Sequence, residues 1–244
     1  MAANPLRFFM KKYDLFFLLF LAALFVPFIF SADAFAIYEQ FNRSHGMVMS
    51  FVKFAVLATL GEMLGLRIKT GVYSFQGFGI LPRAIVWGFL GLVIKGAFTI
   101  FASGTPVFLE YLSMDGATAI IKSDLSWAKV MVAFCISVAM NLTFGPMMMT
   151  FHKITDTHIL QTGGTLGGLF SPIPIHKIII DMNWDVQWNF VFRKTIPYFW
   201  IPVHTITFLL PPEYHVLFAA LLGLMLGVVL SVASQMGRKA TLSS

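Results

Sequence analysis

Ionisable side chains inside long apolar runs are the residues of this chain that most need a chemical reason. Each costs roughly 2.5–3.5 kcal/mol at the centre of a bilayer on insertion scales, so it must pair, line a polar path or reach the interface. Lys95 lies in the interior of WGFLGLVIKGAFTIFA, and Lys53 and Glu62 flank the apolar run before it. Nine positions separate Lys53 from Glu62, which puts them on opposite faces of a helix. A Glu62–Lys95 contact would lower the cost of both. Asn141 and His204 are the polar groups of two later runs. An amide inside a helix commonly bonds a neighbouring helix, and Pro202 frees a backbone carbonyl near His204. These five residues are expected to line or gate a polar path, with Lys95 foremost. The competing role for Lys95 is a structural ion pair or a snorkelling side chain.

Other chemistry finds less support. His45, Met47 and Met49 form an H-x-M-x-M run, and Met147, Met148 and Met149 precede His152. Soft thioether and imidazole ligands suit Cu(I), but no thiolate pair or H-x-x-x-H helix accompanies them. A metal-ion transporter is the weakest of the alternatives, and no metal or other cofactor is expected. There is no P-loop, no G-x-S-x-G and no H-E-x-x-H, and no carboxylates are paired within a span, so no enzymatic activity is expected. The single cysteine, Cys135, lies in an apolar run and reads as a small buried hydrophobe.

The elements that must position these residues are helices in a membrane. Apolar residues make up 58% of the 244 positions and charged residues 11%, whereas soluble domains carry roughly 25% charged residues to face water. The net charge of +6 sits at chain ends and loops, a pattern that suits anionic lipid headgroups and not nucleic acid. A bilayer core of about 30 Å takes roughly 20 apolar residues per helix. Six segments approach that length: 14–31, 47–66, 84–102, 130–150, 195–210 and 216–234. The expectation is an all-α polytopic transmembrane bundle of about six spanning helices, forming one domain over 1–244. The fifth segment is short enough to tilt or stop partway.

Basic residues cluster in alternate loops. Arg7, Lys11 and Lys12 precede the first segment, and Arg67, Lys69 and Arg83 lie between the second and third. The positive-inside rule then places both termini on the cytoplasmic side. The first segment, followed by SADAFA, also has the layout of a signal peptide, although a retained helix is favoured. Residues 155–192, with TGGTLGG at 162–168, read as an interfacial loop anchored by Trp184 and Trp188. The 104–126 connection reads similarly. Gly61 with Gly65, and Gly223 with Gly227, have the small-x-x-x-small spacing of close helix contacts.

The carboxyl-terminal run WIPVHTITFLLPP resembles the signature of the twenty-two-kilodalton peroxisomal membrane protein family, also called the Mpv-seventeen family. Trp200, Phe208 and Pro212 match its spacing, and His204 stands where the family usually has Gln. Gly61-Glu62 is similar to the family's Gly-Asp. The run from Gly145-Pro146 to Asp156 is similar to its Gly-Pro helix. The resemblance covers about residues 48–232 and implies a compact bundle linked to membrane permeability. With no Arg-rich, acid-poor segment ahead of the first span, a bacterial inner membrane is the expected host, with a mitochondrial or peroxisomal membrane the alternative. The expected function is a small channel or permeability-modulating protein for small solutes. A scaffold binding lipid or partner subunits is the runner-up. Membrane lipids are the expected partners, and self-association stays open.

Overall fold

In the computed structural model, described over residues 12–225, every regular element is helical. The chain divides into two compact units, one ending at Gly46 and one beginning at Met47. The first holds α1 (Lys12–Phe30) and α2 (Ala32–Ser44). Ser31 caps α2 by accepting from the Ala34 amide at 3.2 Å, which supplies one of the bonds that the first turn lacks.

The second unit begins with α3 (Gly46–Thr70), α4 (Ile80–Tyr111) and α5 (Ala117–Ile120). Next come α6 (Trp127–Gln161) and two short turns, α7 (Leu166–Leu169) and α8 (Ile175–Asp181). A wide helix with i→i−5 bonding follows over Val186–Trp200 and runs without a break into α9 (Ile201–Leu209). An apolar helix, α10 (Pro212–Met225), ends the described part. Its proline occupies the first position, where a missing amide hydrogen costs nothing.

Four helices are long and apolar enough to cross a bilayer: α1, α3, α4 and α6. This is an integral membrane protein. The fifth expected segment lies within the wide helix and α9, which have 15 and 9 residues and are not among those four. The sixth is described only to Met225, so Gly227 and the rest of that segment lie outside the described residues.

Two boundaries differ from expectation. Helix α4 continues through Gly104 to Tyr111, and α6 continues through Thr155 to Gln161. Apolarity marks only the part of a helix in lipid, whereas backbone bonding carries on past it. At 1.5 Å per residue α6 is about 52 Å long, well beyond a hydrocarbon core of about 30 Å. Pro146 sits inside α6, where it has no amide hydrogen to give the Leu142 carbonyl one turn back, and the Thr150 hydroxyl donates to the Pro146 carbonyl at 2.8 Å.

Helices α3 and α4 run antiparallel, and glycines bring them together. A Cβ on Gly91 would lie 2.6 Å from the Ser50 carbonyl oxygen, and one on Gly88 would meet the Phe51 ring. This register sets Gly88 and Gly91 against residues 50–54, so Lys95 lies level with the start of α3. Glu62, farther along α3, faces the first turns of α4. Gly61 repeats the device against α10, since its Cβ would sit 2.7 Å from the Leu224 Cα. The loops beyond these helices interlock as well. Gly163 and Gly164 both have positive φ, and Gly164 lies against the backbone of Gly77 and Gly79.

Candidate functional site

Arg83, expected in a loop, is instead in the first turn of α4 with its side chain only 7% exposed. A buried guanidinium must have its donors met and its charge balanced. The Phe78 carbonyl accepts from Nε at 2.7 Å, and the Phe78 ring lies under the guanidinium at 4.3 Å. Nη1 donates to Glu62 Oε2. Nη2 lies 2.5 Å from Asp156 Oδ1, an ion pair without hydrogen-bond geometry. Glu62 Oε1 takes two more donors, Trp87 Nε1 at 2.9 Å and His152 Nε2 at 2.9 Å. Because a carboxylate only accepts, the His152 proton must sit on Nε2. One arginine thus ties α3, α4 and α6 together at a single level.

The expected Glu62–Lys95 pair is not formed. Eight residues separate Lys95 from Trp87, about 12 Å along α4, so Lys95 is two turns beyond the level of Glu62. It is half-buried, and Lys53 is buried.

A second polar cluster joins α6 to α9. The buried Ser137 hydroxyl donates to the Ile201 carbonyl at 2.7 Å. Asn141 Nδ2 donates to the Ser137 carbonyl at 2.9 Å, and its amide meets His204 Nδ1 at 3.1–3.2 Å. The Ile201 carbonyl also accepts from Thr205 Oγ1 at 2.8 Å. The expectation that an amide in α6 would bond a neighbouring helix holds, with His204 as its partner. Since Thr205 still serves the carbonyl, Ser137→Ala should cost only about 0.6–1.5 kcal/mol. Reversible unfolding in detergent would check this, and a loss above 3 kcal/mol would mean that the hydroxyl does more.

Between the two clusters lies a cavity of about 260 Å³. Glu62, Trp87 and His152 line it at one level, and Asn141 and His204 at the other. His152 and Asn141 are eleven residues apart on α6, so the levels are about 16 Å apart. Phe54, Phe98, Phe144 and Trp200 supply aromatic walls, and Gly61, Gly145 and Gly223 leave the space. Of the five polar-path candidates, Glu62, Asn141 and His204 line this cavity, while Lys53 and Lys95 do not.

Other singled-out residues fall close by. Asp156 is in the Arg83 cluster, and Trp200 stacks at 5.1 Å on His204. Phe208 is buried, with its ring edge-on to Phe98 at 5.4 Å and to His215 at 5.4 Å. Sequence reading missed Arg83 and Trp87; the signal available was an arginine placed 21 residues after Glu62, across a turn between two apolar helices. His45 stacks on Phe41 and bonds Ser44 Oγ, and Met47 and Met147 are exposed. Among the described residues, no three His, Cys, Asp or Glu side chains gather as a metal site would require. Cys135 is half-buried.

Set against protein-family models, curated proteins and solved structures, the chain matches none.

Proposed function

We propose that this protein lets small solutes cross its membrane, and that the cavity is the middle of the permeation path. The observation that carries this is a cavity lined from α3, α4, α6, the wide helix, α9 and α10, onto which polar groups open at two levels about 16 Å apart. The Arg83 cluster closes one level by holding α3, α4 and α6 together. Separating those helices would join the cavity to the aqueous side. The resemblance to the Mpv-seventeen family supports the same reading, since its matching residues Gly145 and Trp200 line the cavity and Asp156 helps to close it. No catalytic step enters the proposal, and a bacterial inner membrane is the proposed host.

Proteoliposomes containing the full chain should swell faster than empty vesicles in small uncharged solutes. Glu62→Gln removes one carboxylate that clamps Arg83 and should raise that rate several-fold. Lys95→Gln, off the cavity, should leave it unchanged. Vesicles that neither swell nor conduct would sink the permeation reading and leave the lipid- or partner-binding scaffold.

A further inference from the structure

Three soft donors of one sequence run reach the cavity. Met148, Met149 and His152 all line it, whereas Met147 is exposed. Met148 and Met149 precede His152 by four and three positions on α6, the two spacings that make neighbours on a helix face. Side chains on a helix lean toward its amino end, so the His152 ring leans over the turn that carries both sulfurs. Among the described residues no cluster of His, Cys, Asp and Glu forms a metal site. Thioether sulfur is a different ligand, uncharged and soft, and it selects Cu(I).

The bonding of His152 is that of a metal ligand. Its Nε2–H goes to Glu62 Oε1 at 2.9 Å, which leaves the Nδ1 lone pair as the basic site of the ring. Metal-bound imidazoles almost always give their other N–H to a carboxylate, carbonyl or water, which fixes the tautomer and raises ligand basicity. Nδ1 has no hydrogen-bond partner among the described residues. It is not sealed in either: the side chain is 25% exposed, and the buried unpartnered nitrogens among the described residues are on His158, Gln187 and Trp200. The Trp87 ring, 4.4 Å from the imidazole, adds an aromatic wall of the kind that attracts cations. Charge favours a single positive ion as well. Glu62 and Asp156 share one arginine, and Lys153 reaches only Asp156, at 3.7 Å. Hard divalent ions fit poorly, since they need oxygen ligands and the Glu62 oxygens are already engaged.

We propose that Met148, Met149 and His152 form a three-ligand site for a soft monovalent cation, Cu(I), with Glu62 behind the imidazole. The site stands on the wall of the cavity and does not depend on a solute crossing it.

The full chain in nanodiscs, offered Cu(I) as its bicinchoninate complex under ascorbate, should withdraw the ion from the chelator, with empty discs as the baseline. Ag(I), which is equally soft, should displace it, and Zn(II) should not. X-ray absorption at the copper edge should show sulfur and nitrogen neighbours. Met148→Leu together with Met149→Leu roughly keeps the volume and should abolish retention. His152→Gln, which can still donate to Glu62 but has no Nδ1, should do the same. Glu62→Gln should weaken retention about 10–100-fold. Met147→Leu and Cys135→Ala, which remove other sulfurs of α6, should leave it unchanged. The proposal is overturned if the chain withdraws no more Cu(I) than empty discs, if Zn(II) displaces it, or if the ion has oxygen neighbours alone. Retention that survives the double change, His152→Gln or Glu62→Gln at full strength, or that is lost in Met147→Leu or Cys135→Ala, overturns it too. If the double variant does not fold, the copper-edge spectrum of the unaltered chain decides. Copper retention without vesicle swelling would sink the permeation proposal and keep the site, and swelling without copper retention would do the reverse.

Discussion

Replacing Arg83 by methionine should destabilise the helical core by roughly 3–5 kcal/mol, the largest effect expected of any single side chain here. Methionine fills much of the same volume, so packing is largely kept and the loss is electrostatic. Two carboxylates, Glu62 and Asp156, stay where the guanidinium held them, with side chains only 20% and 19% exposed. Glu62 keeps its bonds from Trp87 and His152, but among the described residues Asp156 keeps only Lys153, at 3.7 Å and half-exposed. Breaking one partner of a buried ion pair costs far more than the pair contributes, because the surviving charge is left in a poor environment. Neutralising the carboxylates should therefore rescue the variant. The triple change Arg83→Met, Glu62→Gln, Asp156→Asn should recover more than half of the loss. Reversible unfolding of each variant in detergent closes the cycle. Strict additivity would show that the three side chains do not act as one unit.

Gly164→Ala should cost about 2–4 kcal/mol, and its neighbour is the control. Gly164 has φ +65°, and a Cβ there would lie 2.5 Å from the Gly77 carbonyl oxygen and 2.6 Å from the Gly79 amide nitrogen. Left-handed backbone strains an L-residue by roughly 1–2 kcal/mol. Pushing apart two packed backbones adds about 1–3 kcal/mol. Gly163 has nearly the same φ, +67°, but a Cβ there meets nothing within 4 Å. Gly163→Ala should thus pay only the backbone share, about 1–2 kcal/mol. Equal losses at the two positions would mean that the contact between the loops does not contribute. The same contact brings the α3–α4 turn, which leads into Arg83, onto the end of α6, which carries Asp156. Loosening it should weaken the ion cluster as well.

The glycine run shows where sequence reading was sound and where it fell short. Glycine at such density marks a break after α6, and a break is there. What the run could not show is that Gly164 meets Gly77 and Gly79, because that contact joins turns some eighty-five residues apart in the chain. Gly61 and Gly223 read as close-packing residues by their spacing; Gly61 does bring α3 against α10, whereas a Cβ on Gly223 would meet nothing within 4 Å. Asn141 and His204 were recognisable as polar groups with few ways to be satisfied in lipid, and they satisfy each other.

Glu62 is the most instructive residue. Its presence in an apolar run demanded a cation, and Lys95 was the one visible inside the next run. Arg83 seemed to belong to the loop, because a charged residue at the edge of an apolar segment usually faces water. The same error touches Arg67, which is buried and lies 5.8 Å from the Tyr73 ring. Two basic residues read as loop charges are therefore engaged inside the protein.

By itself, the sequence determined the medium and the element type. Long apolar runs must be helical, since backbone groups in hydrocarbon have no other partner, and each buried polar residue must find company. Only the tertiary structure decided which company. The antiparallel register of α3 and α4, set by Gly88 and Gly91, puts Glu62 opposite Arg83 and Trp87 and leaves Lys95 two turns away. The axial position of a helix against its neighbour depends on side-chain and backbone contacts between distant residues, which no local pattern encodes. That one displacement turned the site from a path centred on a lysine into an aromatic cavity bordered by Glu62 and closed by an arginine.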